Sequence, residues 1–283
     1  MSDAVAVHHG AYGRCGLYHL NRSLPTHAHL ESHLLFFISG EAAYTKINDS
    51  VYSMDSENVL AVNPLQPHSG EFGREGGATW TLVMYIRPAW LKEMGGADQP
   101  LRFFNSAFKR TPEIESLLEQ VSELICEPSS QEMLALRLYH LTQACLQQSA
   151  GVNRPSTGDS LNRVADQRIG KALRLIHHYL KDDVPPEYIA SEVGLSRPHF
   201  YKLFREQVGV TPSVYQNTLK INAAIERLTD SNLPVNTIGH ELGFSSPASF
   251  SRFFTANVGI PPVTYRRVAA VEREQDREPA IAV

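Results

Sequence analysis

The sequence of 283 residues predicts an α+β protein with a β-barrel at its N-terminus, then a helix pair, then an all-α region with two helix-turn-helix units. Three observations carry this prediction. Residues 1–105 contain short runs rich in Val, Ile, Phe and Tyr that are separated by turn residues. From Thr111 onward, apolar residues recur at helical spacing. The C-terminal part of the chain then contains the same helical pattern twice.

The β region is predicted from five apolar runs, which read CGLYHLN, HLLFFIS, AAYTKIN, NVLAVN and TWTLVMYI. Asn48, Asp49 and Ser50 separate two of these runs and favour a hairpin loop. Many short strands with frequent turns are typical of a sandwich or a barrel. Residues 1–105 are therefore predicted to form one β domain.

Residues 106–148 are predicted to form an antiparallel helix pair. Thr111 and Pro112 begin the first helix, and Pro128 ends it. The apolar positions of the two helices are Ile114, Leu117, Leu118, Val121, Leu124 and Ile125, and then Leu134, Leu138, Leu141 and Cys145. An apolar face of this size must be buried, either against the β domain or in a dimer interface. We expect this pair to support a homodimer.

Residues 149–162, with the sequence SAGVNRPSTGDSLN, have the small, polar, Pro-containing composition of a linker. Residues 163–270 then form a second, all-α domain, and residues 271–283 form a disordered tail. The helices expected there are Val164–Lys181, Pro186–Val193, Pro198–Val208, Pro212–Asp230, Val235–Leu242 and Pro247–Val258. We expect each domain to have its own core, with only the polar linker between them.

The repeat consists of two segments, Ile189–Tyr215 and Ile238–Tyr265. Equivalent positions are 49 residues apart up to Pro198 and Pro247, and 50 residues apart after them, because the second copy contains one extra residue. Each copy has a short apolar helix, a Gly turn, a second helix with a Phe stripe and a Gly-x-x-Pro-x-x-Tyr exit. This arrangement is a helix-turn-helix. A purely structural helical repeat is the alternative, but the number of shared features disfavours it. Two such units in tandem indicate contact with two successive major-groove faces of one DNA duplex.

The outward face of each second helix carries the candidate DNA contacts. In the first unit these are Arg197, Tyr201, Lys202 and Arg205, which have the reach and the donors to bind phosphates and bases. In the second unit small residues let the helix sit deep in the groove, and Arg252 is the expected guanine reader. Pro212–Asp230 joins the units. Its 19 residues span about 28 Å, near the roughly 34 Å between successive major-groove faces.

Charge and composition agree with this interpretation. The net charge is −4, but residues 163–270 contain 13 Lys and Arg against 9 Asp and Glu, hence +4, which leaves −8 for the rest. The positive charge therefore coincides with the repeat. Three scattered cysteines, and an N-terminus without an export signal, lead us to expect a reducing cytoplasm. No apolar run is long enough to cross a bilayer.

The segments GLSRPHFYKLFREQVGVTPSVY and GFSSPASFSRFFTANVGIPPVTYRR resemble the DNA-binding domain of the AraC/XylS family of bacterial transcription regulators. The resemblance covers residues 163–268 and implies that the second helix of each unit enters the major groove. The positions it assigns to DNA binding are Arg197, Tyr201, Lys202, Arg205, Ser246, Ala248, Ser249, Ser251 and Arg252. It also implies that the partners are double-stranded promoter DNA and, for an activator, RNA polymerase.

A second resemblance lies in the β domain. His27-Ala-His29-Leu-Glu-Ser-His33, followed by Gly40, is similar to the first cupin motif, although His33 stands where that motif has Glu. The segment that ends at His68 is similar to the end of the second cupin motif, but the rest of that motif is poorly matched. AraC-type regulators often carry a cupin-like barrel that senses a small molecule. The resemblance therefore implies that His27, His29, His33 and His68 bind an effector.

The four histidines leave two interpretations open. His27 and His29 on one strand would point to the same side, and with His33 and His68 they could form a site for Zn, Fe or Ni. Alternatively they serve as polar effector contacts or capping groups. We expect no cofactor, and the metal site stays the alternative.

The expected function is a transcription regulator switched by a small effector through a population shift. A metal-dependent cupin enzyme tethered to a DNA-binding domain is the alternative. The missing motif Glu, the poor second motif and the lack of an obvious acid–base pair disfavour it, so we expect a protein that is not an enzyme. A third possibility is a regulator without an effector, whose barrel only dimerises.

Overall fold

The computed structural model describes residues 2–73, 76–95, 101–127, 131–150, 165–182 and 184–271. The predicted α+β class is confirmed, because strands fill the N-terminal part and helices the C-terminal part. Within these residues, no helix combines the length and the hydropathy that a membrane span requires.

Two sheets form the cupin-like β domain. The strands are β1 Asp3–Gly10, β2 Gly13–Leu20, β3 Leu24–His27, β4 Ser32–Gly40, β5 Ala43–Ile47, β6 Ser50–Met54, β7 Asn58–Val62, β8 His68–Glu71, β9 Thr79–Ile86, β10 Ala107–Lys109 and β11 Ala269–Val271. The larger sheet has the order β10-β7-β4-β9-β2-β1-β11, and the smaller sheet has the order β3-β8-β5-β6. All pairs are antiparallel except β1 with β11.

The five predicted runs are the strands β2, β4, β5, β7 and β9. The predicted hairpin loop is also confirmed, since Ile47 pairs with Ser50 and Asn48 takes a φ of 53°. The sequence did not reveal β3 and β8, which have only four residues each and read LPTH and HSGE. Such short polar segments lack the apolar alternation by which strands are recognised.

The helices are α1 Pro88–Glu93, α2 Pro112–Leu124, α3 Gln131–Ala150, α4 Gln167–His178, α5 Pro186–Glu192, α6 Arg197–Val208, α7 Pro212–Asp230, α8 Val235–Glu241, α9 Pro247–Val258 and α10 Pro262–Val268. The predicted bounds of α7 and α9 agree at both ends. The expected linker is wrong at its first two positions, since residues 149–150 still belong to α3, and residues 151–162 lie outside the described residues. Of the tail predicted to be disordered, Val271 forms part of β11, and residues 272–283 are not described.

The helix pair α2 and α3 packs on the β domain. The predicted apolar face of α3, which includes Leu138 and Leu141, is buried in one cluster with Phe36 and Met84 of the larger sheet. Of the two alternatives for this face, burial against the β domain and burial in a dimer interface, the structure shows the first. The apolar face that could have served a dimer is therefore covered within the chain, and the homodimer stays a prediction.

The expectation of two separate cores is wrong. One buried cluster contains Val7 and Tyr18 of the β domain together with Phe250, Phe254 and Tyr265 of the helical region. β11 extends the same contact by pairing with β1. An apolar pattern shows that a face is buried but not which surface covers it, so the sequence did not reveal this contact. The second helix-turn-helix unit is thus anchored to the β domain.

Candidate functional site

The first helix-turn-helix unit consists of α5 and α6. Gly194 provides the turn with a φ of +68°, a conformation that glycine adopts without strain. Phe200 and Phe204 on α6 are fully buried, and they pack in one cluster with Ile189. Pro198 lies in the first turn of α6, as predicted. The inward face is therefore formed by the Phe stripe that the repeat predicts.

The second unit consists of α8 and α9, and Ser246 is the N-cap of α9. Its Oγ accepts a 3.2 Å hydrogen bond from the backbone N of Ser249, and Ser249 Oγ accepts one of 3.2 Å from the backbone N of Ser246. This is a capping box. Two of the serines assigned to DNA binding therefore also fix the start of the recognition helix.

The residues assigned to DNA binding all reach the surface. Arg197, Lys202, Arg205, Ser246, Ala248 and Arg252 are exposed, and Tyr201, Ser249 and Ser251 are half-buried. The first four assigned positions lie on α6, and the other five lie at the start of α9 or along it. Their outward placement agrees with the predicted face of each helix, and their role in binding DNA is proposed below.

Glu187 on α5 is a neighbour that sequence reasoning missed. Its carboxylate lies 2.8 Å from Arg197 Nε, and it accepts a 3.4 Å hydrogen bond from the hydroxyl of Tyr201. Arg205 and Arg252, by contrast, form no ion pair with any residue that the structure describes. Arg197 would therefore have to leave Glu187 before it binds a phosphate or a base, whereas Arg205 and Arg252 would not. Helical periodicity alone gives no sign of a contact between two different helices.

The structure brings the four histidines together. His27 ends β3 and pairs in register with His68 at the start of β8, and His33 lies in β4. His29 lies between β3 and β4, so the prediction that His27 and His29 share one strand is wrong. The ring centroids are 4.2 Å apart for His27 and His68, 5.0 Å for His27 and His29, and 4.8 Å for His29 and His33. All four are buried.

The protonation of the cluster follows from its surroundings. Burial lowers the pKa of His27, His29 and His68, and it lowers the pKa of His33 to about 3. Neighbouring imidazoles and Arg14 add to this effect. The imidazoles are therefore neutral at pH 7.

The tautomers of two rings are fixed by the backbone. Nδ1–H of His27 donates to the Pro25 carbonyl at 2.8 Å, and Nδ1–H of His68 donates to the Gln66 carbonyl at 2.9 Å. Since each Nδ1 carries the proton, each Nε2 keeps its lone pair free.

A cavity of about 40 Å³ adjoins the cluster. The β domain supplies most of its wall, including Tyr18, Phe72 and Tyr85, but Asn257 and Val258 of α9 complete it. The volume suits an ion or a few water molecules and is far below the roughly 300 Å³ of a drug-sized pocket. The end of the second recognition helix is therefore part of the wall around the histidines.

Further contacts connect the cluster to the helical region. Thr218 of α7 donates a 3.0 Å hydrogen bond to the carbonyl of Ala28, the residue between His27 and His29. Tyr85, which packs 4.9 Å from His29, also lies 3.6 Å beneath the guanidinium of Arg14. The helix that joins the two units thus touches the backbone of the histidine segment.

Comparison with known proteins gives two family matches. The AraC-like ligand binding domain family matches residues 16–142, and the helix-turn-helix domain family matches residues 189–268. The regulatory protein PocR of Salmonella typhimurium is 34% identical over 102 residues, which are 36% of this chain and 34% of PocR. The arabinose operon regulatory protein of the same organism is 30% identical over 168 residues, 58% of this chain and 57% of that protein. The chain therefore spans about a third of the first relative and just over half of the second.

Two matches extend over most of the chain. The probable transcriptional regulator LumQ of Photobacterium leiognathi is 23% identical over 247 residues, 87% of this chain and 94% of LumQ. The crystal structure of fatty acid-bound ToxT from Vibrio cholerae superposes with a TM-score of 0.51 at 14% identity, and the match covers 92% of this chain and 97% of ToxT. At this identity, ToxT shows that the fold is shared.

Proposed function

Since the chain belongs to the AraC family of transcriptional regulators, we propose that it binds promoter DNA through α6 and α9 and that a small ligand in the histidine cavity regulates this binding. The observation that carries the proposal is the pair of helix-turn-helix units, each with an outward face of cationic and small polar side chains. Lys and Arg on such a face supply phosphate contacts, and Arg supplies bidentate contacts to guanine. A regulator of bacterial promoters acts in the cytoplasm, which suits three free cysteines.

The spacing of the two units supports simultaneous binding. α7 joins them with 19 helical residues, which correspond to about 28 Å along its axis. Successive major-groove faces on one side of the duplex are about 34 Å apart. Both recognition helices can therefore meet the same side of one duplex.

Regulation is supported by the composition of the cavity wall. Asn257 and Val258 belong to α9, so a ligand in the cavity contacts both the β domain and a recognition helix. A ligand that prefers one arrangement of these two parts shifts the population toward it. ToxT was crystallised with an unsaturated fatty acid, whereas a cavity of about 40 Å³ favours a much smaller ligand here.

We infer a regulatory rather than a catalytic role for the cavity. The relatives with known names are regulators. Among the described residues, no carboxylate lines the cavity, and burial lowers the pKa of its four histidines away from the value near the working pH that acid–base catalysis favours. RNA polymerase is the further partner we propose for activation, and a homodimer is to be tested by sedimentation.

The experiment is selection of bound DNA from a random-sequence library by the full chain, followed by affinity measurement on selected and scrambled duplexes. We expect one enriched sequence. Arg252→Ala should weaken binding to it by about 1–3 kcal/mol, and preference should relax at one base pair. Arg22→Ala is the matched control, because Arg22 is an exposed arginine of the β domain. Equal affinity for selected and scrambled duplexes would contradict the proposed function.

A further inference from the structure

The histidine cluster has the donor geometry of a metal site. One ring nitrogen from each of His27, His29 and His68 lies within 4.8 Å of the others. The nitrogens of a tetrahedral zinc site are about 3.4 Å apart, which follows from Zn–N bonds of about 2.1 Å. Small side-chain rotations therefore suffice to bring three imidazoles onto one ion.

A fourth imidazole is within reach. The ring centroid of His33 lies 4.8 Å from that of His29 and 4.7 Å from that of His68. Four nitrogen donors would close a tetrahedral site, whereas three would leave one position open to the cavity. The number of ligands thus decides whether a small molecule can also bind the ion.

The state of the imidazoles suits coordination. A metal binds a ring nitrogen that carries no proton, and the Nε2 atoms of His27 and His68 are left in that state because their Nδ1–H groups donate to the backbone. These two hydrogen bonds, to the carbonyls of Pro25 and Gln66, are of the kind that orients the ring of a metal-binding histidine. Among the described residues, none hydrogen-bonds the ring of His29. Histidines that only support the fold would be expected to bond to each other or to the backbone throughout.

We propose that His27, His29 and His68, with His33 as the fourth donor, bind one divalent transition-metal ion of the zinc class. This inference rests on the proposed function, because it names the ligand of the regulatory cavity. An all-imidazole donor set suits Zn²⁺, Co²⁺, Ni²⁺ or Cu²⁺, whereas Mg²⁺ and Ca²⁺ require oxygen donors. The cavity of about 40 Å³ accommodates an ion and water.

The position of the site connects it to the DNA-binding helices. Ala28 lies between two of the ligands, and its carbonyl accepts the hydrogen bond of Thr218 on α7. α7 and the end of α9 both contact the 27–29 segment or the cavity beside it, so a shift of this segment on ion binding would reach both helices. The ion therefore acts on the arrangement of the two recognition helices.

The test is titration of the metal-stripped full chain with Co²⁺, followed by visible absorption. Four-coordinate Co²⁺ gives intense d–d bands, which Zn²⁺ should abolish by displacement. We expect one Co²⁺ per chain. Removal of an outer hydrogen bond to a metal ligand already costs 10–100-fold in affinity, so His29→Ala and His68→Ala should each weaken binding at least about 100-fold. His140→Ala, on the exposed side of α3, should bind as the wild type does.

Absence of saturable one-to-one binding to the wild type would overturn the proposal, and so would equal binding by His29→Ala, His68→Ala and the wild type. Circular dichroism on each variant checks the fold, and His68→Gln, which keeps a polar side chain of similar size, replaces any variant that unfolds. DNA binding is measured on the same preparations. If the wild type binds its selected DNA sequence but shows no saturable metal binding, the metal inference fails and the proposed function stands.

Discussion

His9 of β1 and Tyr265 of α10 are joined by a 2.9 Å hydrogen bond between the imidazole Nε2 and the phenol. Tyr265 is the exit tyrosine of the second helix-turn-helix unit. Its counterpart in the first unit, Tyr215, instead hydrogen-bonds His177 of α4 at 3.1 Å. Each tyrosine also packs edge-on against the last Phe of its recognition helix, at 5.5 Å and 5.7 Å respectively. The same repeat position thus contacts the β domain in one unit and the helical region in the other.

Replacement of Tyr265 by Phe should destabilise the contact between the two parts of the chain. The substitution leaves the half-buried His9 without its partner, which costs about 1–3 kcal/mol. Urea unfolding measures the loss, and limited proteolysis shows whether cleavage between the β domain and the helical region increases. Tyr215→Phe is the matched control, since it should lower stability without increasing cleavage there. If the two variants are cleaved alike, the His9 contact does not hold the parts together.

His9 should also make stability depend on pH. Burial, followed by the charge of Arg14, lowers the pKa of His9 to about 3. In the unfolded chain, His9 binds a proton as the pH falls through about 6.5, whereas in the folded chain it stays neutral down to a much lower pH. Protonation therefore favours the unfolded chain, and the free energy of unfolding decreases as the pH falls. When the pH falls from 6.5 to 5, the free energy of unfolding of the wild type should decrease by about 1–2 kcal/mol more than that of His9→Gln. Parallel pH profiles for the two proteins would contradict the assignment.

Glu187→Gln should strengthen DNA binding. The carboxylate lies 2.8 Å from Arg197 Nε and competes with phosphate for it. Exposed ion pairs contribute up to about 1 kcal/mol, so we expect a gain of up to about fivefold in affinity, with a steeper salt dependence. Glu192→Gln, an exposed position at the end of α5, controls for the change in net charge. An equal gain in both variants would assign the effect to net charge alone.

Thr218→Val should uncouple metal binding from DNA binding. The substitution keeps the shape of the side chain but removes the donor to the Ala28 carbonyl. We expect the variant to bind Co²⁺ as the wild type does while the metal-dependent change in DNA affinity shrinks. Fluorescence anisotropy with and without Zn²⁺ measures this change. Thr229→Val is the control, because the hydrogen bonds of the Thr229 hydroxyl to described residues all lie within α7. A full metal response in Thr218→Val would show that coupling takes another route.

The sequence predicted what depends on local pattern. The repeat located α6 and α9 and their outward residues, because an apolar stripe and a Gly turn recur at fixed spacing. The motif spacing also identified the four histidines, which the structure gathers around one cavity. Their gathering depends on the pairing of β3 with β8, two strands too short to be recognised from their residues.

Contacts between distant segments were not predictable in the same way. Phe250 and Phe254 belong to the Phe stripe of the second unit, but nothing in their spacing shows that they share a buried cluster with Val7 and Tyr18. Asn257 and Val258 follow the Phe stripe and show no pattern of their own, yet they line the cavity. Periodicity in the sequence shows which face of a helix is buried. It does not show which distant segment of the chain packs against that face.

The central claim is that α6 and α9 bind successive major-groove faces of one duplex. Hydroxyl-radical footprinting of the full chain on its selected duplex tests this most directly. We predict two protected segments on one side of the DNA, with centres about one helical turn apart. Arg205→Ala should weaken protection in one segment, and Arg252→Ala should weaken it in the other. A single protected segment, or two segments that respond equally to both substitutions, would contradict the claim.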